Sequence, residues 1–117
     1  MDYIDTIPSV IKLLKTLLNV RVYGNRFPAN PELPSLMVRS AGGTDYTRLQ
    51  LIARSNSDSE AMSLVINALN RLETNAAFLS GIRVVWAERE SIPVPDMDED
   101  TGKPEAWGYI RLEHLEA

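Results

Sequence analysis

Three carboxylates stand at alternate positions in Asp96-Met97-Asp98-Glu99-Asp100, and Thr101-Gly102-Lys103-Pro104 follows them. Oxygens at that spacing converge on a hard cation when the chain turns, as in calcium-binding loops. Two parts of the calcium pattern are missing. The glycine of the sharp turn would fall at Thr101 and stands instead at Gly102, and Trp107 occupies the position of the closing bidentate glutamate. Asp96, Asp98 and Asp100 therefore admit two readings: a small calcium-binding module, or a solvated hairpin tip that holds no metal and no cofactor.

Catalytic groups are sparser still. Glu88 and Glu90 with the loop acids could supply a general acid and base, but strand carboxylates ordinarily form a wet face and nothing beside them would tune their protonation. His114, the sole histidine, pairs with no recognisable nucleophile and reads as an exposed residue. The absence of cysteine removes disulfides, thiolate ligands and a thiol nucleophile together. Gly42-Gly43 is followed by a strand pattern, not by the Gly-Lys-Ser/Thr and helix of a phosphate loop. The chain reads as a protein that is not an enzyme.

Large side chains gather instead around the foot of the acidic loop. Trp86, Met97, Trp107 and Tyr109 surround a segment stiffened by Pro93, Pro95 and Pro104. Tryptophan and tyrosine carry much apolar area at low conformational cost, so they serve either a core or a contact with another subunit. As contacts, they place an arm at about residues 91–106, with Pro93, Pro95, Asp96, Met97, Asp98, Asp100, Pro104 and Trp107 as its interface candidates.

The elements that must hold this arm follow from periodicity. Ile7, Val10, Ile11, Leu14, Leu17 and Leu18 line one face of a helix that Thr6 or Asp5 can cap and whose first turn tolerates Pro8. Val20 and Val22 alternate with Arg21 and Tyr23 in a short strand ended by Gly24. Pro28, Pro31 and Pro34 make the next stretch a stiff connector with Phe27 tucked beneath it. Leu36 to Arg39 and Tyr46 to Arg54 pair as a hairpin across Gly42-Gly43, with Leu49, Leu51 and Ala53 facing a core. Ser57 and Glu60 form a capping box ahead of a helix whose stripe is Ala61, Met62, Val65, Ile66, Leu69 and Leu72. Ile82 to Glu90 alternates Ile82, Val84, Trp86 and Glu88 against Arg83, Val85, Ala87 and Arg89, and Trp107 to Leu112 closes the sheet.

This order predicts an α+β fold: two amphipathic helices packed on one face of a mainly antiparallel sheet, with a long projecting hairpin loop. A chain of 117 residues with 44 % hydrophobic and 24 % charged residues suits one globular domain spanning residues 1–117. A net charge of -4 with dispersed bases argues against a nucleic-acid-binding surface. No apolar run reaches membrane-spanning length, and Met1-Asp2-Tyr3 lacks the basic start of a signal peptide, so the expectation is no membrane and retention in the compartment of synthesis.

The order of these pieces resembles the tail terminator, or tail completion, proteins of long-tailed bacteriophages. The likeness runs from the N-terminal helix and the Phe27-Pro28 to Pro34 connector through Arg48-Leu49-Gln50-Leu51-Ile52-Ala53-Arg54-Ser55 and the Ser57-capped helix. It ends with Ser91-Ile92-Pro93, Asp98-Glu99-Asp100-Thr101-Gly102-Lys103-Pro104 and the final strand. The resemblance implies a structural virion protein that forms a homo-oligomeric ring, typically a hexamer. Such a ring terminates the tail tube and joins it to the head connector, at the head-proximal end of the virion tail after assembly in the host cytoplasm. DNA would pass through it without specific binding, past acids that repel phosphates. A neighbouring head-tail connector or completion protein of similar fold is the alternative that the resemblance leaves open.

Overall fold

The computed structural model describes residues 4–116. Two α-helices and six strands follow in the order α1 (Ile7–Leu18), β1 (Arg21–Gly24), β2 (Ser35–Ser40), β3 (Thr47–Arg54), α2 (Asp58–Asn75), β4 (Ile82–Arg89), β5 (Val94–Met97) and β6 (Pro104–Glu116), with a 3-10 turn at Ala76–Phe78. The sheet runs β1-β2-β3-β6-β4, with β5 also on β6; β1 lies parallel to β2 and every other pairing is antiparallel. The α+β class holds. No described helix is long and apolar enough to cross a membrane.

Capping follows the local sequence with one change. The Ile7 amide donates to Asp5 Oδ1 at 3.1 Å, while the Thr6 hydroxyl is buried and caps nothing. At α2 the Glu60 amide donates to Ser57 Oγ at 3.1 Å as a capping box requires. The Glu60 carboxylate, however, accepts from the Ser55 hydroxyl, so the helix start is tied to the end of β3.

One side of the sheet meets the helices. Val10 and Leu14 of α1 and Ala61, Val65, Ala68, Leu69 and Leu72 of α2 share a buried cluster with Leu36, Val38, Leu49, Leu51, Ala53, Ala106, Ile110 and Leu112. Those strand residues occupy matching register positions: Leu51 lies beside Val38 on one flank and Gly108 on the other. At Gly108 α2 lies close against the strand, since a Cβ there would sit 2.8 Å from Leu69 Cδ1. Ile66, expected on the buried stripe, is exposed; α2 rotates Ala68 into the core instead.

β6 is the spine. Residues 105–112 pair with β3 on one flank, while the other flank is shared end to end by β5, against 104–107, and β4, against 110–116. This changes the expected arm. Pro104 to Trp107 lies inside the sheet between β3 and β5, and only the turn at 98–103 extends past the paired strands. Pro104 is tolerated there because the ladder uses its carbonyl, which accepts from the Ser55 amide at 3.0 Å. Pro95 is tolerated because β5 is an edge strand.

Candidate functional site

The face of the sheet turned away from the helices carries a different population. Register places Arg48, Gln50, Ile52 and Arg54 of β3 beside Arg111, Tyr109, Trp107 and Glu105 of β6. Beyond β6 the same face continues through Glu88 and Trp86 of β4 and Val94 and Asp96 of β5. In the other direction it continues through Met37 and Ser35 of β2 to Tyr23 and Arg21 of β1.

Three of its arginines, Arg48, Arg54 and Arg111, are each held between an aromatic ring and a carboxylate. The Arg48 guanidinium lies 3.8 Å from the Tyr109 ring centre, and its Nε donates to Glu90 Oε1 at 2.7 Å. Arg111 lies 3.7 Å over Tyr46 and donates from Nη2 to Glu113 at 2.8 Å. Arg54 lies 4.1 Å over Phe27, donates to Glu105 at 2.8 Å and reaches Asp98 at 3.4 Å. Trp107 packs edge-on against Tyr109, with ring centres 5.4 Å apart. Stacking on one side and a carboxylate at the tip together restrict each guanidinium, so these long side chains form an ordered surface instead of a mobile one. The bond to Glu90 is the main reason Arg48 holds its proton more tightly than a free arginine.

An open sheet lined with arginine and aromatic residues is also the layout of a single-strand nucleic-acid platform. Here each stacked guanidinium already has a carboxylate, and the two strand arginines of this face in no ion pair, Arg39 and Arg83, stand on separate strands, so among the described residues no continuous positive track crosses the face. Ordered aromatic and arginine side chains with their charges matched are the composition of a protein contact.

The expected interface residues divide between this face and its rim. Trp107 lies in its centre and Asp96 at its edge. Asp98 closes the turn, accepting from the Thr101 hydroxyl at 2.6 Å and the Thr101 amide at 3.0 Å. The hydroxyl bond is the largest influence holding the Asp98 carboxyl below the ordinary carboxylate range, and the Thr101 amide and Arg54 add to it against the cost of desolvation. Asp100 is exposed on the turn, Met97 and Pro95 are exposed along β5, and Pro104 is half-buried in β6. Pro93 turns to the helix side, where it flanks a cleft with Ile66, Leu69 and Ile92. Ile92 is the most exposed large apolar residue described, at 87 %.

For the calcium reading, Asp98 is committed to Thr101 and Arg54, and Asp96 accepts from the Met97 amide at 2.8 Å. Among the described residues no three carboxylate or imidazole groups gather as a cation's ligands would. His114 is half-buried, not exposed as expected, because Thr47 Oγ1 lies 2.7 Å from its Nε2. Tyr46, Arg48, Arg54 and Arg111 were not legible as site residues, because the arginines and the rings they stack on lie far apart in sequence; alternation marked only that Arg48, Arg54 and Arg111 turn from the core-facing residues of their strands. Neither a protein-family model nor a curated protein matches this chain.

Proposed function

We propose that the chain is a structural subunit of a homo-oligomeric ring at the head-proximal end of a phage tail, where it terminates the tail tube and joins it to the head connector. The observation that carries an assembly role is the open sheet face, on which Trp107, Tyr109, Tyr46, Arg48 and Arg111 form an ordered, charge-matched surface. Such residues dominate the energetics of protein contacts. The phage setting is supported by the order of elements and by the Ser91 to Pro104 segment described above.

On this reading the long hairpin is a contact device of limited reach. The turn at 98–103 carries it outward, while Pro104 and Trp107 anchor it within the sheet. The function resides in the contacts and includes no catalytic step. The full chain, measured by native mass spectrometry alone and with a tail tube protein, is expected to give a hexamer that sediments with tubes. A single-copy mass at every concentration, together with no tube binding, overturns the reading.

A further inference from the structure

A cyclic ring needs two different patches on each subunit, placed so that rotation alone brings one onto the other. The sheet contains such a pair. Arg21, Ser35, Arg54, Glu105 and Asp96 form one transverse row across β1, β2, β3, β6 and β5. The row begins with a base on one edge strand and ends with an acid on the other, roughly 19 Å away by the usual strand spacing.

Both ends of the row are reinforced. Beside Arg21 is an open hollow of about 580 Å³, lined by Lys15, Asn19, Tyr23, Glu32 and Pro34 among others. Arg21 pairs there with Glu32 at 3.3 Å, but both side chains are largely exposed, and a pair of that kind is readily exchanged for another partner. Beyond Asp96 lies the turn with Glu99 and Asp100, both exposed and in no ion pair among the described residues. The chain as a whole is divided in the same sense. Residues 4–40 hold five bases (Lys12, Lys15, Arg21, Arg26, Arg39) and two acids (Asp5, Glu32), whereas residues 82–116 hold nine acids and four bases, so the two segments differ as +3 and -5.

Within one subunit the acidic turn is kept from the hollow by the connector, because Ala29 to Pro31 and Leu33 flank a crevice against Thr101 and Lys103. We infer that the acidic edge of one copy, Asp96 with Glu99 and Asp100, docks at the Lys15 and Arg21 hollow on the β1 edge of the next copy. This inference rests on the ring reading and names the contact within it. Because Arg21 and Asp96 share one row, an axis along the strands relates these two residues without a step along that axis, as a closed ring instead of a filament requires. Pro95 on β5 and the bulge after Val84 on β4 discourage direct strand pairing at the acidic edge, so charge and shape must specify the contact there.

The test is a charge exchange in the full chain, with mass read by sedimentation velocity and folding by circular dichroism. K15E/R21E and D96K/D100K are each expected to fold and to raise the concentration for half-assembly at least about tenfold, since like charges oppose one another across the contact. Mixing the two variants is expected to restore the wild-type mass, because each acidic turn then meets a basic hollow and each basic turn an acidic one. The chain carrying all four substitutions is expected to assemble by itself. A ring that is indifferent to both pairs overturns this contact and leaves the ring reading standing. A wild-type chain that stays single at every concentration overturns both.

Discussion

The two faces of this sheet are made by the same strands and obey different rules. On β3 and β6, the helix side presents Leu49, Leu51, Ala53, Ala106, Gly108, Ile110 and Leu112, all buried and shaped to α1 and α2. One residue along, the other side presents Arg48, Ile52, Arg54, Trp107, Tyr109 and Arg111, whose long side chains pack on one another and on Phe27 and Tyr46 of the connecting loops instead of on a helix. The covered face is an interior in which volume decides stability. The open face is an exterior that has been given internal order, and order on an exterior lowers the entropy cost of meeting a partner.

Four substitutions on the two faces sharpen this contrast. Leu51→Ala should cost the most, about 3–4 kcal/mol in urea unfolding, because the cavity opens where Val38, Gly108 and α2 leave no slack. Arg54→Ala comes next at about 2–3 kcal/mol, since it leaves the Glu105 carboxylate, which is 13 % exposed, without its partner and unstacks Phe27. Arg54→Lys should recover little of this, because an ammonium neither stacks nor forks. Trp107→Ala should lower stability by only about 1–2 kcal/mol while reducing assembly far more. Were its stability cost to equal that of Leu51→Ala, the open face would be a second core and the contrast would fail.

The smallest effect concerns the turn. Asp98 has a depressed carboxyl, so its contribution is present above the unfolded value, about 3.9, and is lost as pH falls through the lower folded value. Hydrogen exchange at the Thr101 amide should therefore stay protected at pH 5 relative to Asp98→Asn, and the two proteins should converge in strong acid. Equal protection at both pH values would show that the Thr101 bonds do not depend on the charge.

The covered face was legible in the sequence because burial imposes periodicity. The alternation of Leu49, Leu51 and Ala53, the α1 stripe and the Ser57 cap each declare themselves within a few residues. The open face was legible in composition and in which residues of β3 turn from the core, but not in its contacts. Trp107 stood out by type, but what it packs against depends on pairings such as Gln50 with Tyr109, which no local pattern encodes. At β4 the local pattern misleads. Strict alternation puts Trp86 with Ile82 and Val84, but a register shift between Val84 and Trp86 turns the tryptophan to the other face. The extent of β6 was hidden by Pro104, which reads as a breaker until its carbonyl is seen to be the group the ladder needs.

The position of β6 has a consequence for how the chain is made. The strand that holds β3, β4 and β5 together is the last of the described strands to be synthesised, and Leu112 pairs with Thr47. Until β6 has left the ribosome, the apolar side of β3 has no neighbour on that flank. The growing chain must wait in a partly formed state, with α2 and the β2–β3 hairpin available and the sheet unfinished. Folding should therefore be late, cooperative and slow compared with a helical protein of this size. Because Trp107, Tyr109 and Arg111 arrive on that same strand, the open face gains its order only when the sheet closes.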